Sequence, residues 1–151
     1  MANKFSLQTL LDLMQTRADE ATRRLGQLIA AEQSATNQLQ MLEDYRAEYA
    51  VKLRDACARG VTPTTLRNYQ DFLSRIDEAI SVQTQTVNHS RINTATGREN
   101  WKAQNKRLKS IDTLSQRHDL REMVIDNKQQ QKIQDEHSAR KYAARSDEEP
   151  D

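Results

Sequence analysis

Metal ligation and proton transfer would fall first to the three histidines, His89, His118 and His137. They stand 29 and 19 residues apart with no cysteine or carboxylate at ligand spacing, so they read as solvated side chains and no metal site is expected. Cys57 is the sole cysteine and has no partner for an internal disulfide, which fits a reducing compartment. The chain has no glycine-rich phosphate loop, no nucleophile elbow and no His-Glu-x-x-His, so neither catalysis nor a cofactor is expected.

What remains is a question of surfaces, and composition says what kind of element must carry them. The 151 residues are 36% hydrophobic and 5% aromatic, with 23 Lys plus Arg against 22 Asp plus Glu and a formal net charge of +1. That is poor material for a globular enzyme core of this length. Only 3 glycines and 2 prolines interrupt the chain, so it has few turns and must be built of long helices or be disordered. No run approaches the roughly 18 apolar residues of a membrane span, and the start is too weakly apolar for a secretory signal. A soluble, intracellular protein without an integral membrane segment is expected.

Order wins over disorder because of a repeat. From Leu7, alternating steps of four and three pass through Leu11, Met14, Ala18, Ala21, Leu25, Leu28, Glu32, Ala35, Leu39, Leu42, Arg46, Tyr49, Leu53 and Ala56, all apolar except Glu32 and Arg46. A period of 3.5 held this long is the pattern of a coiled coil, and it predicts a helix over 5–58, roughly 80 Å long. Gly60 then supplies a helix C-cap, and Thr62 with Pro63 a helix start, so the turn is expected at 59–62. A second seam runs through Leu66, Tyr69, Leu73, Ile76, Ile80, Gln83, Val87, Ser90, Thr94, Gly97, Trp101, Gln104, Leu108 and Ile111 on a helix over 63–144.

The fold class that follows is all-α, two long helices in one antiparallel coiled-coil hairpin over 1–145, with an acidic disordered tail at 146–151. Facing residues should then have numbers adding to about 122. Polar layers such as Ser90 and Thr94 predict a bend or loosening around 83–100. The register uses up Leu7 near Ser115, so residues from Gln116 onward are expected to overhang without a partner in the chain.

Two surface features stand out. Between Trp101 and Arg121 lie the bases Lys102, Lys106, Arg107, Lys109, Arg117 and Arg121 against the acids Asp112 and Asp119. With one aromatic there, a solvated face is preferred to nucleic-acid binding, and an acidic protein wall stays open. Beside the seam, Gln38, Leu42, Tyr45 and Tyr49 form a second stripe whose twin on the other helix is Phe72, Ile76, Ala79 and Gln83. Paired antiparallel at a constant sum of 121, they make one patch, either a protein-binding site or a wide seam or homodimer core.

The blocks LQTLLDL (7–13), ATRRLG (21–26), QLQMLEDYRAEY (38–49), NYQDFLSRIDEAI (68–80), Trp101 and KRLKSIDTLSQR (106–117) make the sequence similar to the FliJ family of the bacterial flagellar type III export apparatus. The resemblance covers about 5–140. It implies a hairpin like the stalk coiled coil of rotary ATPases, acting without catalysis in the pore of the flagellar export ATPase hexamer and promoting its assembly and turnover. It further implies contact with the cytoplasmic domain of the export gate, escort of export chaperones, and a peripheral place on the cytoplasmic face of the inner membrane. The gate contact would fall on Gln38, Leu42, Tyr45, Tyr49, Phe72, Ile76, Ala79 and Gln83, and the ring contact on Phe5, Leu7, Leu10, Leu11, Met14, Arg117, Arg121 and Met123. The rival expectations are the equivalent stalk of a virulence-type secretion apparatus, a generic coiled-coil adaptor, and a nucleic-acid-binding hairpin.

Overall fold

The computed structural model describes residues 6–148 and places two helices there, α1 (Gln8–Arg59) and α2 (Pro63–Ser146), with no strand among the described residues. The expected helix start at residue 5 lies outside the described residues, as do 149–151 of the expected tail. Gly60 ends α1 in the left-handed region at φ 91°, a conformation that suits a residue without Cβ, and its N–H donates to the Cys57 carbonyl at 3.3 Å. The Thr65 N–H donates to Thr62 Oγ1 at 3.2 Å, so Thr62 caps α2 just before Pro63.

The chain resolves into two compact units, Asp19–Ala103 and a second made of residues up to Ala18 together with those from Gln104. In the first, α1 and α2 pack antiparallel about the turn, and the bonds between them follow the expected register. Arg91 pairs with Glu32 at 3.9 Å, Trp101 Nε1–H donates to Thr22 Oγ1 at 2.9 Å, and Thr94 Oγ1–H donates to the Leu28 carbonyl at 3.3 Å. Arg46 leaves the seam for solvent and pairs with the Asp77 carboxylate, which keeps its charge out of the core and raises the guanidinium pKa further. The buried side chains are Ala21, Ala35, Ile76, Val87 and Thr94.

The expected loosening at 83–100 is absent. α2 is unbroken there, and Val87, at 2% exposure, is the most deeply buried large side chain among the described residues. The layers at Gln83 and Thr94 hold because each side chain finds a partner: Gln83 Nε2–H donates to the Ala35 carbonyl at 3.0 Å, and the Thr94 hydroxyl reaches both the Leu28 and Ser90 carbonyls. Small residues also bring the helices close. A Cβ at Gly97 would stand 2.5 Å from Leu28 Cδ1, whereas one at Gly26 would meet nothing within 4 Å. Gly26→Ala is therefore expected to stabilise the fold by about 0.5–1 kcal/mol through helix propensity. Gly97→Val should destabilise it by about 1–3 kcal/mol through overpacking. Urea unfolding of both variants checks the pair; equal shifts would mean the Gly97 contact is looser than it stands.

In the second unit, Met14 and Ala18 are buried, and on α2 Gln104, Leu108 and Ile111 are half-buried. Contrary to the expected overhang from Gln116, half-burial continues in the same rhythm through Ser115, His118, Glu122 and Asp126. Part of this cover is intrahelical, since His118 Nε2 lies 3.8 Å from a Glu122 carboxylate oxygen one turn on. From Asn127 to Glu148 every residue is exposed.

Candidate interaction surfaces

The chemistry-bearing residues do not converge. His89 and His137 are exposed, and His118 is half-buried with Asp119 and Glu122 each at 3.8 Å, two carboxylates that the reading of the sequence did not place beside it. Among the described residues no group of three His, Cys, Asp or Glu is placed to hold a metal ion. What the fold does assemble is side chains on helix faces.

In the unit containing the turn, the stripe on α1 and its twin on α2 come together at both ends. At one end Gln83 Nε2–H donates to Gln38 Oε1 at 3.3 Å. At the other the rings of Tyr49 and Phe72 lie 4.3 Å apart between centroids, Tyr45 meets Tyr49 at 5.1 Å and Phe72 edge-on at 6.1 Å, and Tyr69 joins Tyr49 at 6.5 Å. Such tilted and edge contacts suit aromatic quadrupoles. Tyr45 is 46% exposed. Its hydrogen bond to Tyr49 raises the phenol pKa above the ordinary value, so Tyr45 is uncharged at neutral pH. Lys52 Nζ stands 5.0 Å from the Tyr49 ring centre, and a hollow of about 290 Å³ opens between Tyr49, Thr65, Asn68, Tyr69 and Phe72.

The stripe is not uniformly accessible. Gln38 and Tyr45 are exposed and Leu42, Tyr49, Phe72, Ala79 and Gln83 half-buried, but Ile76 is buried in the seam. Ile76 therefore supports the patch from beneath. The helix face widens beyond the expected set, since Met41 and Val82 are exposed one step outward on α1 and α2 at matching heights. Their positions off the seam were the signal that could have found them.

In the second unit, Leu7, Arg117, Arg121 and Met123 are exposed, Leu10 and Leu11 half-buried, and Met14 is buried at 8%. Phe5 lies outside the described residues. Met14 is thus a packing residue of the seam. Around α2 the exposed apolar set is larger than expected and includes Leu114, Leu120, Met123, Val124 and Ile125. At 100° per residue, with the seam at Ser115, His118 and Glu122, these side chains point to both flanks and to the back of the helix.

Together these features define an all-α helical-hairpin protein whose exposed apolar and aromatic side chains lie along helix faces. Its relatives make that class specific. The profile of the flagellar FliJ protein family matches residues 3–147. A flagellar FliJ protein of Escherichia coli (strain K12) is 31% identical over 140 residues, covering 93% of this chain and 95% of that one. One from Salmonella typhi is 30% identical over 140 residues with the same coverage. The solved structure of CT670 from Chlamydia trachomatis superposes with a TM-score of 0.46 at 14% identity, over 97% of this chain and 99% of that one. The chain belongs to the FliJ family and is a component of flagellar protein export. Among the described residues no helix is long and apolar enough to cross a membrane.

Proposed function

We propose that the protein is a non-enzymatic stalk that promotes assembly and turnover of the flagellar export ATPase ring. On this reading α2 from Leu114 onward, with the first turns of α1, seats in the ring, while the patch around Tyr45 and Phe72 meets the cytoplasmic domain of the export gate. Escort of export chaperones and a peripheral place on the cytoplasmic face of the inner membrane belong to the same reading.

The observation that carries it is the apolar collar of Leu114, Leu120, Met123, Val124 and Ile125, exposed on several sides of one helix. Apolar side chains exposed on both flanks and the back of one helix call for cover from more than one direction. A flat partner would cover one side of the collar and leave the rest in water, whereas a ring supplies walls in every direction. The helix then runs on exposed from Asn127 to Ser146, without the packed face that supports most helices, and gains from a surrounding wall.

The test is steady-state ATP hydrolysis and ring assembly of the flagellar export ATPase with and without stoichiometric protein. A rise in both is expected. No change in either, with the protein shown helical by circular dichroism, removes the stalk reading.

A further inference from the structure

One feature of α2 is left over from the seam: between Arg107 and Lys132 its charges are sorted by face. Arg107, Ser110, Leu114, Arg117, Arg121, Ile125, Lys128 and Lys132 follow steps of three and four, so they lie on one flank of the helix along about 38 Å. Every one of them is exposed. From Arg107 to Lys132 the stripe contains no acidic residue, and Asp135 closes it at the next step of three; Asp112, Asp119, Glu122 and Asp126 fall toward the seam and the opposite flank. Among the described residues none of its five bases enters an ion pair, while other exposed charges such as Lys102 with Glu99 do.

This arrangement works against the isolated helix. Arg117 and Arg121 are like charges one turn apart, a spacing that destabilises a helix, whereas exchanging faces with the acids would have given attractive pairs. A solvated face needs no such segregation. We propose that the stripe is a docking surface for an acidic amphipathic helix of a protein partner, with carboxylates spaced three and four residues apart to meet the bases and apolar residues to cover Leu114 and Ile125. Charge complementarity selects an acidic occupant. The continuous track of three- and four-residue steps and the two interleaved aliphatic residues favour a helix over a polyanion, for which stacking aromatics are missing along the stripe, and over a membrane, which asks for a broader apolar face. The proposal shares Leu114, Arg117, Arg121 and Ile125 with the ring-facing surface and to that extent rests on the stalk reading, but its test contains no ATPase.

The probe is a synthetic helical peptide with Glu and Leu at heptad spacing, titrated onto the full-length protein by fluorescence anisotropy. Binding is expected, weakening about tenfold or more when salt rises from 50 to 500 mM. It should be lost in the triple variant Arg117→Glu, Arg121→Glu, Lys128→Glu and reduced in Arg121→Gln, with circular dichroism unchanged for both. A Gln-for-Glu peptide that binds equally well overturns the proposal, as does tighter binding of duplex DNA or phosphatidylglycerol vesicles through the same residues. Peptide binding retained in a protein that fails to stimulate the ATPase would instead count against the stalk reading alone.

Discussion

Ending the chain at Asp126 is expected to return the flagellar export ATPase to its unstimulated rate while leaving the thermal unfolding midpoint within a few degrees of the full-length value. The two readouts separate because every residue from Asn127 to Glu148 is exposed and belongs to no buried layer among the described residues. Removing surface helix of this kind changes stability by a few tenths of a kcal/mol per residue at most, since packing, and not propensity, supports most helical structure. A cut after Arg117 is a different experiment. It takes away His118, Glu122 and Asp126, which continue the half-buried rhythm of α2, and should lower the midpoint as well. If the Asp126 truncation loses stability and stimulation together, the bare helix is structural and the ring must be engaged elsewhere.

The second large effect concerns the aromatic patch. Tyr45→Ala combined with Phe72→Ala is expected to weaken binding to the cytoplasmic domain of the export gate by about 30-fold or more, because well-packed aromatic anchors cost about 2 kcal/mol or more on truncation. The fold should survive. Tyr45 is nearly half exposed, and the lost ring contacts are worth about 0.5–1.5 kcal/mol each. Ile76→Ala would be a poor probe of the same surface, since Ile76 is buried and its truncation should cost about 2–5 kcal/mol of stability whatever it touches outside. Isothermal titration of the double variant with the gate domain, alongside circular dichroism, decides the matter; an unchanged affinity with intact helicity would exclude the patch as the gate contact.

Several misplacements in the reading of the sequence share one cause. Ser90, Thr94 and Gln83 look like weaknesses in a heptad repeat because the repeat scores them as polar. In the fold each of Thr94 and Gln83 finds a backbone carbonyl of α1, and Gly97 admits Leu28, so the layers that looked loosest hold Val87 and Thr94 fully packed. Met14 and Ile76 were read as both seam and surface, which a helical period cannot separate, because a stripe beside the seam becomes accessible or covered according to how closely the second helix approaches. The family resemblance pointed to the same patch and carried the same ambiguity.

The sequence by itself determined the long-range plan of this protein. A 3.5-residue repeat, a chain nearly free of breakers and a Gly60–Thr62–Pro63 turn demand two helices folded back on one another, because the repeat, the cap and the φ restriction are local and independent of what else is nearby. Only the tertiary structure decided which polar groups are satisfied across the seam, that Arg46 turns out to Asp77, how far along α2 half-burial extends, and which apolar side chains are left in water around Leu120 and Tyr45. Those outcomes depend on the distance and rotation between two helices, which no single helix encodes.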